Sequence, residues 1–504
     1  MHYLLGIDVG TSNTKAVLVD EAGRTVASAT HSHPTLTHAL GHQEQNAEDW
    51  WQGVCVTVRR SLEESQIAPV QIAGISFSAQ GCACQPVDAH GQLLGNALIW
   101  TDTRATAQQA RIRQLFGEDL GHVTGNNIYD QPEPRMMWIR EHEPERYART
   151  YKFLTTLSYL VYRFTGNFVA TTSDWGFHLS FDREKRSWNS HFVHAIGLDE
   201  EKFPALCESH AIVGQVTRAA ARETGLLEGT PVVAGAQDSV VVVLAVGAWD
   251  VGQSVVMRGT TELLCFSTAE GGYHSDLYTT CSVIPGLFVR YDMREVVASG
   301  GSYRWLAMML FDAAREPEFI QMNELAAASP AGSHGLLYLP YLLISTNPDP
   351  EQQRAGCYFG LSTTTTRGDL CRAVMEGTAY ALRETIVRLE RIGIAIHELR
   401  LTGGPAESVL WNQITADVTG LPVLVPEVGS AAAAYGAALL AGMGCGLIPM
   451  DDGYTTLRRM IQLRRRYEPQ LGQRAIYDRF YTEFCRLTTQ TLGIAARLRQ
   501  PEGG

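Results

Sequence analysis

The chain has 504 residues, 45% of them hydrophobic and 19% charged, and its formal net charge is −12. This length allows two or more domains with sizeable cores, and the composition is typical of a soluble globular protein. The acidic balance excludes a general nucleic-acid binder, which needs a basic face. An anionic ligand would therefore be held locally, by backbone amides, helix ends or a metal ion.

The cysteines and the N-terminus bear on the compartment in which the protein works. The ten cysteines are scattered without a CxxC pair, which favours reduced thiols over disulfides or a metal centre. Residues 1–5 lack the basic region of a signal peptide. The longest apolar stretches, 240–246 and 431–444, are too short or too rich in glycine and alanine to span a bilayer. We expect a cytoplasmic protein with neither nucleic-acid nor membrane partners.

Residues 3–20 have the pattern of two strands joined by a tight glycine turn. The turn exposes several backbone N–H groups together with the hydroxyls of Thr11, Ser12 and Thr14, a combination that suits phosphate oxygens. Asp8, at the end of the first strand, could hold a magnesium ion through water. The pattern is not that of a Walker motif, since no GK[ST] follows. A plain hairpin without a ligand is the alternative interpretation.

Polar residues follow two further strands predicted in the first half. The strand Ile72–Ser78 leads to Gln80, Gly81 and Cys82, and the strand Ala97–Trp100 leads to Asp102 and Arg104. Such side chains are suited to hydrogen bonding with a polyol, although Asp102 and Arg104 could equally form a surface ion pair. The pattern also predicts two long helices, at 46–65 and 145–164.

The stretch Pro231–Gly247 predicts a buried strand that ends near Gly235 and a helix that begins at Ser239. Gln237 and Asp238 lie at the junction. A carboxylate there would lie at the carboxyl end of a parallel strand and beside the positive end of a helix, where open α/β sheets place their ligands. The alternative is that Asp238 only caps the helix.

The hairpin pattern occurs a second time, at residues 254–267. Here the turn is Gly259-Thr260-Thr261, between two apolar runs. Two half-chains that each contain such a hairpin suggest duplicated domains that face each other across a cleft. The seam would fall after Gly247, which divides the chain into 1–247 and 248–504.

A third glycine turn follows a strand near residue 399. Gly403 and Gly404 have no side chains, so that a flat adenine ring or a phosphate could approach the backbone. An ordinary turn between strand and helix explains the same residues. Further on the sequence predicts a helix after Ser299 with Trp305 on its buried face, and an irregular loop at Ser345–Pro350.

Two longer segments resemble signatures of a known family, the FGGY carbohydrate kinases. Residues 356–361 (GCYFGL) and 369–376 (DLCRAVME) are similar to the family's C-terminal signature. Residues 134–138 and 142–145 represent the N-terminal signature, with Arg135 where lysine is usual. The glycine turns and the Asp238 segment fall in the family's order. The resemblance therefore covers essentially the whole chain, and within the family it is strongest to the xylulokinases.

The resemblance implies an α/β fold of two actin-like ATPase (ribonuclease H-like) domains with a cleft between them. It implies ATP-dependent phosphorylation of a terminal hydroxyl on a small ketose or polyol, with a pentulose such as D-xylulose as the first candidate. Other candidates are L-ribulose, L-fuculose, gluconate, glycerol or a signalling furanone, and a non-kinase actin-like ATPase is a more distant alternative. The expected cofactors are ATP and Mg²⁺, and the family suggests a homodimer.

The family also implies a role for each matching residue. Asp238 would be the catalytic base and Asp8 would act near the metal, through water. On the sugar side the matching residues are Gln80, Gly81, Cys82, Asp102 and Gln237. On the nucleotide side they are Thr11, Ser12, Lys15, Gly259, Thr260, Gly403, Gly404, Trp411 and Asn412.

The chain departs from the xylulokinase pattern at three places. Xylulokinases usually have Gln-Met-His-Gly at 80–83 and Gly-Asp-Asn at 237–239, where this chain has Gln-Gly-Cys-Ala and Gln-Asp-Ser. The Gly-Glu-Arg that usually follows Leu-Pro-Tyr is replaced by residues 343–346. All three changes concern the sugar side or its rim. The sequence therefore supports kinase chemistry but does not identify D-xylulose as the sugar.

Overall fold

The computed structural model describes residues 2–39, 41–128, 131–292, 296–343 and 350–499. Residues 345–349 of the predicted loop lie outside the described residues. The chain forms two compact units. The first unit contains 1–249, 267–290 and 431–462, and the second contains 250–266, 291–430 and 463–504. The predicted division at 247 did not anticipate that two later segments pack with the first unit.

The strands of the chain are β1 (Tyr3–Val9), β2 (Asn13–Asp20), β3 (Thr25–Ser32), β4 (Leu36–Ala39), β5 (His42–Gln45), β6 (Ile72–Ala79), β7 (Gln85–Val87), β8 (Ala97–Leu98), β9 (Lys152–Leu154), β10 (Val169–Thr171), β11 (Phe181–Asp182), β12 (Ser187–Trp188), β13 (Ala205–Cys207), β14 (Ile212–Gln215), β15 (Pro231–Val233), β16 (Ala236–Gln237), β17 (Gln253–Arg258), β18 (Thr261–Thr268), β19 (Leu277–Cys281), β20 (Phe288–Asp292), β21 (Val297–Ala298), β22 (Leu337–Leu339), β23 (Cys357–Phe359), β24 (Glu398–Thr402), β25 (Val423–Pro426) and β26 (Leu463–Tyr467).

The α-helices are α1 (Ala47–Ser65), α2 (Thr106–Phe116), α3 (Leu120–Thr124), α4 (Glu133–His142), α5 (Pro144–Arg149), α6 (Thr156–Thr165), α7 (Thr172–Trp175), α8 (Ser190–Ala195), α9 (Arg218–Thr224), α10 (Asp238–Val246), α11 (Gly300–Phe311), α12 (Glu316–Ala328), α13 (Arg367–Arg391), α14 (Val409–Thr419), α15 (Ala432–Gly444), α16 (Thr455–Met460), α17 (Arg474–Gln490) and α18 (Ile494–Arg499).

The main sheet of the first unit has the strand order β14-β15-β6-β1-β2-β3, with β16 also beside β6. β1 pairs antiparallel with β2 across the predicted hairpin and parallel with β6. Helix α1 packs on β2 and β3, and α15 packs on β1 and β6. The backbone of β1 at Gly6 is so close to α15 that an added β-carbon would lie 1.9 Å from the carbonyl oxygen of Ala434. Tight packing of this kind explains the alanine-rich sequence of α15.

The main sheet of the second unit contains β18, β17, β24, β25 and β26 in that order, with β21 beside β18. β17 pairs antiparallel with β18, which confirms the second predicted hairpin, and parallel with β24. The signature residues 369–376 lie in α13. Thr366 caps this helix and forms a capping box with Asp369.

The helix predicted at 145–164 is wrong in its middle. The segment forms α5, then the strand β9, then α6. Thr150 has an extended backbone and ends α5, while Thr155 starts α6 by accepting a hydrogen bond from the Ser158 amide at 3.2 Å. β9 pairs with β7. Pairing with a distant strand and a new N-cap therefore outweigh the local helical pattern.

Trp305 is also placed differently from its prediction. The helix α11 begins at Gly300 as expected, but Trp305 is 40% exposed, and the buried residues of α11 are Ser302, Tyr303, Leu306 and Ala307. An aromatic residue in a helix is thus not a sufficient sign of the buried face.

Candidate active site

Three parallel strands of the first unit end in register, and the predicted site residues follow them. Val9 of β1 pairs with Ala79 of β6, and Ala79 pairs with Gln237 of β16. One residue further along these strands are the glycine turn after β1, Gln80 and Asp238. The carboxyl ends of neighbouring parallel strands are where α/β sheets place ligands. The structure therefore brings together, at one edge, three segments that the sequence had indicated separately.

Asp8 lies just before this edge. It is opposite Lys15 on β2 and Ser78 on β6, and Ser78 Oγ donates a hydrogen bond to Asp8 Oδ1 at 2.7 Å. Burial raises the pKa of Asp8 to about 6, against the lowering effects of Ser78 and Lys15. Burial also lowers the pKa of Lys15, and Asp8 opposes that shift. A cation near Asp8 would favour its ionised form.

The turn after β1 is held by hydrogen bonds from outside it. The Gly10 amide donates to the carbonyl of Asn13 at 3.0 Å and closes the turn. The hydroxyl of Thr11 accepts from the indole of Trp100 at 3.0 Å. Ser12 is exposed. The turn is thus held in one conformation, as preorganised binding of an anion requires.

Asp238 is the first residue of α10, and Gln237 occupies the N-cap position. Asp238 Oδ1 accepts a hydrogen bond from the Ser239 amide at 2.6 Å. Asp238 thus lies one residue past the N-cap position but still accepts from an amide of the first turn, and its catalytic role stays a prediction. The remainder of α10 is an apolar run of which every residue is buried, so that the polar chemistry of the segment is confined to its first turn.

The segment Gln80–Cys82 packs against Gln237. Gln80 is 2% exposed and donates through Nε2 to Gln45 Oε1 at 2.8 Å. The absence of a side chain at Gly81 leaves room for the amide of Gln237, which would be 2.6 Å from an added β-carbon. Cys82 has a φ of 61°, in the left-handed region, and its Sγ lies 3.7 Å from His178 Nε2.

Asp102 forms an ion pair with Arg104, as one of the two alternatives had it, but the pair is buried and not at the surface. Its side chain is fully buried, and Arg104 Nε donates to both carboxylate oxygens, at 2.9 and 3.0 Å. The backbone N–H of Gln43 donates a further hydrogen bond to Asp102 Oδ2 at 2.7 Å. Arg104 also forms an ion pair with Glu44 at 2.7 Å. Burial of the Asp102 carboxylate depends on these partners. Its contact with a sugar stays a prediction.

Sequence reasoning missed two buried polar residues near α7, a helix that packs against β16. His178 is fully buried, its Nδ1 has no hydrogen-bond partner within the described ranges, and burial together with the charge of Arg135 lowers its pKa to about 3. Asp174 is fully buried and accepts from Thr155 Oγ at 2.6 Å. Burial raises its pKa to about 7. The sequence signal that could have identified them is an aspartate and a histidine within an otherwise apolar and aromatic stretch.

The second unit contains a cavity of 690 Å³. Four of its lining residues were predicted for the nucleotide side: Gly259, Thr260, Gly404 and Trp411. An added β-carbon at Gly404 would meet nothing within 4 Å, so the backbone here is open to a ligand. The cavity thus combines two of the predicted glycine turns.

Gly403 and Asn412, also predicted for this side, do not line the cavity but support it. Gly403 has a φ of 96°, and an added β-carbon would be 2.1 Å from the carbonyl oxygen of Arg258, so only glycine fits. Asn412 is fully buried and donates through Nδ2 to the carbonyl of Ala406 at 2.7 Å. Both residues hold the turn that carries Gly404.

A buried arginine packs against the ring of Trp411, which lines the cavity. Arg258 is fully buried, and its guanidinium is 5.3 Å from the centre of the Trp411 ring. Arg258 Nε donates to Glu262 at 2.6 Å, and one terminal nitrogen donates to the hydroxyl of Thr415 at 3.1 Å. The indole N–H of Trp411 donates to Thr378 at 3.0 Å. These contacts on the side away from the cavity hold the Trp411 ring in place.

The remaining lining residues of the cavity were not predicted from sequence. The apolar ones include Tyr303, Ala314, Phe319 and Ile320, a lining suited to a flat aromatic ring. Asn323 also lines it. Asn323 Oδ1 accepts from the hydroxyls of Tyr303 at 3.1 Å and Ser408 at 3.2 Å. Its Nδ2 is therefore the group of this amide that remains to donate to a ligand.

The described part of the chain contains neither a metal-binding cluster nor a membrane-spanning helix. No group of three or more histidine, cysteine, aspartate or glutamate residues there could hold a metal ion. Within the same part of the chain, no helix has the length and apolarity of a membrane span. All ten cysteines are free thiols in the structure.

The chain is similar to known carbohydrate kinases over most of its length. Residues 3–245 match the FGGY family of carbohydrate kinases, N-terminal domain, and residues 291–445 match its C-terminal domain. A xylulose kinase from Bacillus subtilis (strain 168) is 31% identical over 449 residues, which cover 88% of this chain and 89% of that protein. One from Escherichia coli (strain K12) is 29% identical over 499 residues, covering 98% and 100%.

The fold is shared with a solved structure. The crystal structure of xylulose kinase from Rhodospirillum rubrum superimposes with a TM-score of 0.86 at 27% identity, covering 97% of this chain and 99% of that one. The α/β, two-domain, actin-like fold class that the resemblance implied is thereby confirmed. Both domains of one family are matched in order along a single chain, which therefore belongs to the FGGY family of carbohydrate kinases.

Proposed function

We propose that this chain is an ATP-dependent kinase that phosphorylates a terminal hydroxyl of a small ketose or polyol, with Asp238 as the general base. The first candidate substrate is a pentulose such as D-xylulose, the substrate named in the most similar relatives. The observation that carries the proposal is the register at the sheet edge of the first unit. It brings a carboxylate at a helix start beside a Gly-Thr-Ser turn and two amide side chains.

The cavity of the second unit is proposed to hold the adenosine part of ATP. Its apolar residues Phe319 and Ile320 would cover the adenine ring. The exposed backbone at Gly259 and Gly404 would face the ribose or the phosphates of ATP. Thr260 adds a hydroxyl at the same turn. In the first unit, Thr11, Ser12 and Lys15 are proposed as further phosphate-binding groups. These local donors would bind the phosphates even though the net charge of the chain is −12.

Mg²⁺ fits this arrangement as an ion held mainly by phosphates and water. The described residues offer no all-protein cage, and Asp8 is a single half-buried carboxylate whose pKa is raised by burial. Mg²⁺ commonly keeps several waters and takes only one or two carboxylates from the protein. When bound, it would neutralise charge on the phosphates. Asp8 would orient it through water.

On the sugar side, the proposed contacts are Gln80, Gly81, Cys82, Asp102 and Gln237. Asp238 would accept the proton of the attacking hydroxyl, a contribution typically worth about 10²–10⁴-fold in rate. Its hydrogen bond with the Ser239 amide holds the carboxylate in place at the helix start. Preorganisation of this kind is the main source of catalysis in phosphoryl transfer, where there is little covalent chemistry for the protein to do.

The sugar could differ from D-xylulose because the chain departs from the xylulokinase pattern at 80–83 and 237–239. L-ribulose, L-fuculose, gluconate, glycerol and a furanone are the other candidates within the family. An actin-like ATPase that transfers phosphate only to water is the alternative from another class. The test is ADP release measured over a panel of these compounds with D-xylulose included. Sugar-dependent ADP release supports the kinase, whereas equal release with and without every compound contradicts it.

A further inference from the structure

The carboxamide of Gln45 is the centre of a buried hydrogen-bond network in the first unit. Gln45 ends β5 and is completely buried. Its Nε2 donates to the carbonyl oxygen of Thr11 at 2.6 Å and to the hydroxyl of Thr35 at 2.8 Å. Its Oε1 accepts from Trp50 Nε1 and from Gln80 Nε2, both at 2.8 Å. All four hydrogen-bonding positions of the amide are thus filled.

Chemistry alone fixes the orientation of the Gln45 amide. The carbonyl oxygen of Thr11 can only accept a hydrogen bond, and the indole N–H of Trp50 can only donate one. A half-turn of the amide would set donor against donor at Trp50 and acceptor against acceptor at Thr11. The assignment of nitrogen and oxygen in Gln45 is therefore determined by its partners.

The orientation of Gln80 follows from that of Gln45. Because Gln45 presents an oxygen, the Gln80 atom that faces it must be the donor Nε2. The other branch of the Gln80 amide is therefore the acceptor Oε1. This oxygen is buried and has no hydrogen-bond partner within the described part of the chain. A buried acceptor left without a partner is costly, and in a native protein such an atom requires an explanation, for example a catalytic role or a bound water, ion or ligand.

The place of Gln80 agrees with this interpretation. Gln80 directly follows Ala79, and Ala79 pairs with Gln237, the residue before Asp238. The next residue, Gly81, is the one on which Gln237 packs. Gln80 Oε1 thus belongs to the same edge of the sheet as the proposed base.

We propose that Gln45 is a positioning residue for substrate recognition, which holds Gln80 so that Gln80 Oε1 accepts a hydrogen bond from a substrate hydroxyl. The inference rests on the proposed function. It adds Gln45 to the proposed site, and it states that Gln80 accepts and the substrate donates in one hydrogen bond. An acceptor requires a group with a proton at that position, so a hydroxyl is favoured there and a carboxylate is disfavoured. Through Thr11, the same amide also ties this contact to the turn after β1.

The test compares Gln45→Met, Gln80→Met and the double variant. The kcat/KM is measured for the best sugar of the panel and for its singly deoxygenated analogues. We expect the wild-type protein to prefer the parent sugar over one analogue by about tenfold, the effect of one hydrogen bond. Gln80→Met and Gln45→Met should both lose that preference, and Gln80→Met should leave the KM for ATP nearly unchanged. The double variant should lose no more than either single variant.

Two further variants separate positioning from general damage. Gln45→Glu, kept neutral by burial, can donate its carboxyl proton to the Thr11 carbonyl and still present an oxygen to Gln80, so it should keep the preference. A merely structural role would make this change at least as harmful as methionine. Gln43→Met is the matched control, because Gln43 lies on the same strand and its side chain donates to Thr37 at an exposed position. It should behave as the wild-type protein does.

The possible failures can be told apart. A wild-type protein that phosphorylates no compound of the panel contradicts the proposed function. A wild-type protein that phosphorylates a sugar, together with a Gln45→Met variant that keeps the full preference, contradicts only the role of Gln45. If Gln45→Met does not fold, a loss of the preference in Gln45→Glu contradicts that role as well.

Discussion

Gln237 packs with its amide directly on the backbone of Gly81. A β-carbon added to Gly81 would lie 2.6 Å from Gln237 Nε2 and 3.1 Å from its carboxamide carbon, closer than such contacts occur. The two residues belong to neighbouring strand ends, and Gln237 is bonded to Asp238 along the chain. The size of residue 81 therefore decides where the Gln237 amide can lie.

Gly81→Ala should displace the Gln237 side chain without unfolding the protein, because the far end of a flexible side chain can move. We expect the KM for the sugar to rise by about fivefold to tenfold, the cost of one hydrogen bond. The KM for ATP should stay the same. Steady-state kinetics with each substrate varied in turn gives both values.

The control for this change is Gly272→Ala, since an added β-carbon at Gly272 meets nothing within 4 Å. In a Gln237→Ala background, Gly81→Ala should have little further effect because the displaced group is gone. Equal and additive effects of the two changes would show that Gly81 acts independently of Gln237.

Asn323→Asp should weaken ATP binding. The carboxylate can still accept from Tyr303 and Ser408, but the Nδ2 donor is lost and a negative charge is added beside the cavity. We expect the KM for ATP to rise by about tenfold and the KM for the sugar to stay unchanged. Titration of the protein with ATP, by calorimetry, measures the same change as a dissociation constant.

Gln321→Glu is the matched control, because it adds the same charge to an exposed position of α12. Unchanged ATP affinity in both variants would remove the cavity of the second unit from the proposed nucleotide site.

Local patterns in the sequence predicted the elements that carry the site. The turns after Asp8 and at Gly259 are each determined by glycine and small hydroxyl residues between two apolar runs, so the structure confirms both hairpins. The start of α10 follows from the polar pair before an apolar run. What local patterns could not show is that the segment 431–462 packs with the first unit, since this depends on contacts over the whole length of the chain.

The unpredicted parts of the site depend on distant partners. The partners of Gln45 are Thr11, Thr35, Trp50 and Gln80, and no short window of sequence contains them all. The sequence left open whether Asp102 forms a surface ion pair or contacts a sugar, and its burial depends on Arg104 and Glu44 together. Only the tertiary structure brings such groups together.

Asp174 should make the stability of the protein decrease from pH 4 to pH 7. Its pKa is raised by burial from 3.8 to about 7, so the folded state keeps a proton that the unfolded state has lost. The folded state is therefore favoured by this group at low pH, and that contribution is lost as the pH rises through 7. The full effect is of the order of 4 kcal/mol.

Asp174→Asn removes this titration. The variant should gain stability relative to the wild-type protein as the pH is raised from 5 to 8, measured as the difference in urea midpoint. Asp119→Asn, at an exposed position, should show no such trend. A constant difference between Asp174→Asn and the wild-type protein over this range would mean that Asp174 is ionised in the fold at all these pH values.

Asp369 has the opposite dependence. Burial raises its pKa, but hydrogen bonds from Ser329, Thr366 and His334 outweigh that effect and hold it at about 2. The ionised group therefore stabilises the fold above pH 4, and this contribution is lost as the pH falls towards 2. Asp369→Asn should cost about 2 kcal/mol at pH 7 and about half of that at pH 3. Urea unfolding at the two pH values measures this. An equal loss at both would contradict the charged cap.

The central claim is that Asp238 accepts a proton from a bound carbohydrate. The most direct test is the turnover of Asp238→Asn in sugar-dependent ADP release, with the ATP dissociation constant measured on the same preparation. The account predicts a loss of two or more orders of magnitude in kcat with unchanged ATP affinity. A variant that binds ATP normally and turns over its best sugar at nearly the wild-type rate would contradict it.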